Sequence, residues 1–115
     1  MNLHKLSSEI LTNGGATYSL AYGLITKGYI VSPYKDREQT IPVSEFGPND
    51  VRNFVAENAD LLSLPDHYLG AWIENELVYL DVTQGFSAKA SAIKVGKANG
   101  QKAIFDLNNL KTIYL

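Results

Sequence analysis

The 115-residue sequence predicts an α+β fold, with helices laid on a mostly antiparallel sheet in the approximate order (α)ββαββαββ. Three observations predict it. Residues 48–62 place Val51, Phe54, Val55, Asn58 and Leu62 at helical spacing, the mark of a buried stripe. Tyr68–Ile73 and Leu77–Thr83 are strand-like runs joined by the short polar segment Glu74-Asn75-Glu76, as a hairpin requires. Further runs rich in Thr, Tyr, Ile and Val lie on either side, punctuated by Gly and Pro. The length fits one domain, residues 1–115.

The elements follow from local chemistry. In residues 2–12, Leu3, Leu6, Ile10 and Leu11 suit a short amphipathic helix, with a turn at Ser7 or Ser8 as the alternative. Asn13-Gly14-Gly15 breaks the chain before a strand at Ala16–Leu20, and a turn follows near Gly23. Gly28–Tyr34 reads as a second strand that Pro33 confines to an edge or an end. Lys35–Thr40 is a polar loop, and Ile41–Val43 a short edge strand. Pro48 suits the first turn of the helix that runs to Leu62. In Leu77–Thr83, Val78, Leu80 and Val82 form the core-facing set, while Leu77, Tyr79, Asp81 and Thr83 face away. Ser87 is the expected cap of a helix from Ala88 to Ala98, with Ala88, Ala92 and Val95 facing the sheet. Lys102–Leu107 and Lys111–Leu115 complete the strands.

Composition narrows the function. The absence of cysteine removes disulfides, thiolate nucleophiles and cysteine-ligated metals, and fits a reducing cytoplasm. The first residues lack the apolar run of a signal peptide, and no stretch is apolar enough to span a membrane. A pI near 5.6 argues against general nucleic-acid binding. No phosphate-binding glycine motif, nucleophile elbow or zinc-binding His pair is present, so neither cofactor nor metal is expected.

Charge is unevenly distributed. Residues 39–81 hold eight acids against Arg52, a net −7, whereas residues 82–115 hold five lysines against Asp106, a net +4. Were the central acids to share one surface, that surface would steer a basic partner toward it. Glu57, Asp60, Glu74 and Glu76 are the expected attractors. Tyr68, Trp72 and Tyr79 are the expected contact residues, because aromatic side chains dominate interface hot spots. Tyr68, Gly70 and Trp72 share a strand face, and Gly70 leaves a gap between two rings.

Two constellations offer an alternative chemistry. Asp66-His67 has the residue types of an oriented base or a metal ligand, though a plain surface loop explains it as well. Asp81 and Asp106 lie within apolar strands, and adjacent strands would make them a carboxylate pair. The plainer reading puts each at a strand end or turn cap. His4 lies too near a terminus to add weight.

The series GYIVSPY, a helix, LGAWIENELVYLDVTQGF, a helix and QKAIFDL, across about residues 14–107, resembles small accessory proteins of phages and mobile elements of Gram-positive bacteria. The resemblance implies a setting, not a site: such proteins often bind and disable host defence nucleases, CRISPR effectors among them. The expectation is therefore a non-enzymatic protein that binds and inhibits a basic host protein in the bacterial cytoplasm. The alternatives are a small enzyme or ligand-binding domain using Asp66, His67, Asp81 or Asp106, and an accessory protein that self-associates through strand edges.

Overall fold

In the computed structural model, which describes residues 2–115, the Asn75-Glu76 turn organises the sheet. Both residues adopt positive φ, 51° and 63°. This is the two-residue hairpin geometry whose twist matches its flanking strands. It joins β5 (His67–Glu74) to β6 (Leu77–Phe86), and Glu74 already pairs with Leu77. The hairpin is thus longer than its apolar core suggests. Its register sets Gly70 opposite Asp81 and Trp72 opposite Tyr79.

Six strands extend this pair. They are β1 (Gly15–Ser19), β2 (Gly23–Leu24), β3 (Tyr29–Val31), β4 (Gln39–Pro42), β7 (Ala103–Asp106) and β8 (Lys111–Tyr114). Among the described residues the order is β2-β1-β5-β6-β3-β7-β8, with β4 beside the first half of β6, and every pairing is antiparallel. The fold is α+β. The expected strand over Gly28–Tyr34 shortens to β3, because Pro33 has no amide hydrogen to offer a ladder. The unassigned residues after Gly23 form β2, closing a small hairpin in which Ile25 N–H donates to Thr17 O at 2.8 Å.

The helices are α1 (Leu3–Asn13), α2 (Pro48–Glu57), α3 (Ala59–Leu62) and α4 (Lys89–Ala98). Asn2 caps α1, its Oδ1 accepting from Lys5 N–H at 3.0 Å, and Gly14 ends it at φ 77°. The residues read as helix or turn are therefore helix. The continuous helix expected over 48–62 instead breaks at Asn58 (φ −114°, ψ 21°). Asn58 is buried, and its Nδ2 donates to Phe54 O at 2.8 Å, the local competition with helical bonding that asparagine offers. Ser87 does not cap α4; Ala88 holds that position and makes no side-chain cap.

Strand alternation assigns two faces. Leu69, Ala71, Val78, Leu80 and Val82 share one face, and Leu6, Ile10, Val51, Phe54 and Leu62 of α1–α3 pack on it. Val31 and Ile104 lie on the same face and meet Ala92 of α4. Val78, Leu80 and Val82 are thus core, as their spacing predicts. All the helices of the described residues lie on this side. The opposite face carries Tyr68, Gly70, Trp72, Tyr79, Asp81 and Thr83, and of the α-helices α1 reaches it at its edge through Glu9 and Asn13.

Candidate binding cleft around Asp81

This opposite face is hollowed into a cleft of about 790 Å³. Gly70, Asp81 and Thr83 of the central hairpin form part of its lining, Thr17 and Trp72 lie on one side, and Ile30 and Phe105 on the other. Its size and mostly apolar lining are those of a ligand site. Asp81 is 2% exposed, and neither carboxylate oxygen has a hydrogen-bond partner. Burial pushes its carboxyl up to about 6; the nearby Ser32 hydroxyl eases its charge in part, and Glu38 adds to the rise. No hydrogen bond of regular geometry joins Ser32 to it. The Thr83 hydroxyl is directed elsewhere, donating to Tyr68 O at 3.2 Å.

Glycine makes this arrangement possible. A Cβ at Gly70 would collide with Asp81 Oδ1 and stand 2.6 Å from Thr83 Cγ2. The gap anticipated between Tyr68 and Trp72 is therefore occupied by the Asp81 carboxyl. Gly85 does the same for Tyr68, whose Cε2 would lie 2.6 Å from an added Cβ. Trp72 stacks on Tyr79 with ring centroids 5.1 Å apart and planes 1° from parallel. The three aromatic residues singled out from the sequence thus share the face of Asp81.

The four acids are more scattered. Glu74 precedes the hairpin turn and Glu76 lies in it, and both are exposed. Val43 N–H donates to Glu76 O at 2.9 Å, which brings the exposed Glu45 segment against them. Glu57 and Asp60 lie across β4, around an open hollow of about 560 Å³ shared with Asp36, Arg37 and Glu38. Arg37 grips Asp60 with two bonds of 3.1 and 3.0 Å and holds its carboxyl below the usual range. Glu57 accepts from Gln39 Nε2 at 2.7 Å. Asp50 accepts from Gly47 N–H at the start of α2, and Asp66 lies beyond the far end of β5. The central acids therefore form two groups at the ends of β4 rather than one field, with Asp81 withdrawn between the strands.

The alternative catalytic residues do not converge. His67 faces the helices, where its Nδ1–H donates to Pro65 O at 2.8 Å and its Nε2 accepts from the Tyr34 hydroxyl at 2.7 Å. Pro65 O can only accept, so both ring nitrogens are committed to structure. Asp66 is exposed at φ 58° and makes no bond to His67. Asp106 is separated from Asp81 by β3. It caps the turn after β7, accepting from Asn108 N–H at 2.9 Å and Asn109 Nδ2 at 2.9 Å. Asn109 and Asn108 hold its carboxyl below the ordinary value. His4 is exposed on α1. Among the described residues, no cluster of three or more His, Asp or Glu is placed to hold a metal, and no helix is long and apolar enough to cross a membrane.

Residues that sequence reasoning passed over also define the cleft. Ser32 and Gln101 come together through a bond from Gln101 Nε2 to Ser32 O at 3.0 Å, joining positions 69 apart in sequence. Nothing local in the chain signals that meeting. Comparison with known proteins adds no relative: no family model, curated protein or solved structure matches this chain.

Proposed function

We propose that this chain is a non-enzymatic binding protein that takes a basic partner protein onto the Asp81 face of its sheet. The observation carrying this reading is the Asp81 carboxyl, buried without a partner in a cleft rimmed by aromatic surface. An unpaired buried charge is destabilising, and a protein retains one where a ligand or reaction uses it. Catalysis would need a second converging group, and His67 and Asp106 are committed elsewhere. Trp72 and Tyr79 supply contact area beside the cleft, and Glu74 and Glu76 supply attraction at the nearby hairpin end.

The partner class is one with arginine or lysine on its contact surface. The nucleic-acid groove of a host defence nuclease belongs to that class, and its occlusion in the bacterial cytoplasm is the inhibitory outcome the proposal carries. The test is parallel affinity capture from a Gram-positive bacterial lysate with wild type, Asp81→Asn and Trp72→Ala. The proposal expects a basic protein retained by wild type and lost by both variants. Identical captured sets in all three would overturn it.

A further inference from the structure

Three buried side-chain polar atoms among the described residues lack a hydrogen-bond partner: Asp81 Oδ1, Asp81 Oδ2 and Gln101 Oε1. All three are acceptors; the Asp81 pair belongs to the cleft, whereas Gln101 Oε1 lies against Gly96 of α4 beside Ile104. Gln101 Nε2 is fixed on Ser32 O, which orients the amide and leaves its oxygen unused. Among the described residues, the charged ones lining the cleft are Asp81 and Glu9 of α1, and both are acidic. Buried acceptors without donors are costly, and what relieves them is a group bearing several N–H donors and a positive charge.

We infer that the Asp81 cleft is a socket for a guanidinium group. A planar fork of N–H donors matches the two free oxygens of one carboxylate. An ammonium presents a compact, strongly hydrated point charge without the rigid planar fork that matches a carboxylate. The weakly hydrated guanidinium also enters an apolar lining beside Trp72 at lower desolvation cost. Either an arginine side chain of a protein or a free guanidine compound carries this chemistry. The inference rests on the binding reading above only for the arginine source.

Ionisation of Asp81 is part of the recognition. Glu38, ahead of β4, opposes its charge, and Glu9 of α1 lines the same cleft. Glu74 of β5 lies on the same strand face beyond Trp72 and is exposed, and Asp106 of β7 lies on the helix-packed face. With the carboxyl at about 6, it is about one-tenth ionised at about pH 5 and almost wholly ionised at about pH 7.5. Guanidinium affinity should therefore fall about tenfold between those pH values, independently of any partner protein.

The test is calorimetric titration, with the fluorescence of Trp72 followed in parallel, using ethylguanidinium, ethylammonium and a short arginine-containing peptide. Wild type should bind ethylguanidinium more tightly than ethylammonium, more weakly at the lower pH, and at least tenfold more tightly than Asp81→Asn does. Asp81→Asn removes a buried charge, so it should fold. Binding of the free guanidine alone, with the peptide excluded, keeps the socket and overturns the partner-protein reading. Binding of the peptide that depends on Asp81 supports both. Failure of all three probes at about 10 mM, or equal binding to Asp81→Asn, would overturn the socket.

Discussion

Asp81→Asn should make this protein more stable at neutral pH, and the gain should vary with pH in a defined way. The wild-type carboxyl rises from an ordinary 3.8 to about 6 on folding because burial penalises its charged form. The folded state therefore holds this proton more tightly than the unfolded state does. Raising the pH through that window drains stability, and the loss is complete above about 6. At 1.36 kcal/mol per pH unit, the difference amounts to about 3 kcal/mol. Asparagine keeps the size and removes the ionisation, while its amide still lacks partners, at a cost of about 1–3 kcal/mol. The net gain at pH 7 is therefore smaller than 3 kcal/mol, but the pH dependence is fully Asp81's own. Urea unfolding of both proteins from about pH 4 to about pH 8, followed by circular dichroism and Trp72 emission, isolates it. The wild type should lose about 2.5 kcal/mol relative to the variant across that range, the first part of the loss falling below about pH 4. A difference that stays flat within about 0.5 kcal/mol would show a solvated carboxyl and refute the reasoning.

Other perturbations separate structure from binding. Gly70→Ala forces Asp81 and Thr83 aside; denaturation should show a loss of about 1–3 kcal/mol, and guanidinium binding should disappear. Tyr34→Phe strips His67 Nε2 of its donor and should cost about 1–2 kcal/mol in the same measurement while leaving binding unchanged, which a catalytic His67 would not allow. Phe54→Ala empties a fully buried site between helices and sheet and should cost about 3–5 kcal/mol. Reversing Glu57, Asp60, Glu74 and Glu76 together should slow association with a basic partner about tenfold at low salt and flatten its salt dependence, read by stopped-flow mixing. Unchanged rates would remove steering from the account.

The hairpin and its core face were legible because period-2 alternation is local: Val78, Leu80 and Val82 declare their side before any partner is known. The helix at Pro48 was legible for the same reason, but its break was not. Asn58 sits on the buried stripe, and only the structure shows its amide taking Phe54 O and meeting Arg37. Asp81 illustrates the sharper limit. A carboxylate alternating with apolar residues in a strand reads as the solvent face, and alternation cannot tell whether that face stays open. Here that face forms a cleft that β1, β3 and β7 also line, and Asp81 is buried in it. One clue was present: a two-residue turn at Asn75-Glu76 sets Gly70 opposite Asp81, and a glycine facing a carboxylate marks space made for it. The summed acidity of residues 39–81 misled in a related way. Charge counted along the chain says nothing about which acids become caps, as Asp50 does, or ion-pair partners, as Asp60 does.

The most direct measurement is the titration of the Asp81 carboxyl carbon by NMR, alone and with the arginine peptide. A buried, partnerless carboxyl predicts a midpoint near 6 in the free protein, falling when the guanidinium binds. A midpoint near 3.8 that the peptide leaves unmoved would mean that water already satisfies this group, and the cleft would lose its claim to be a binding site.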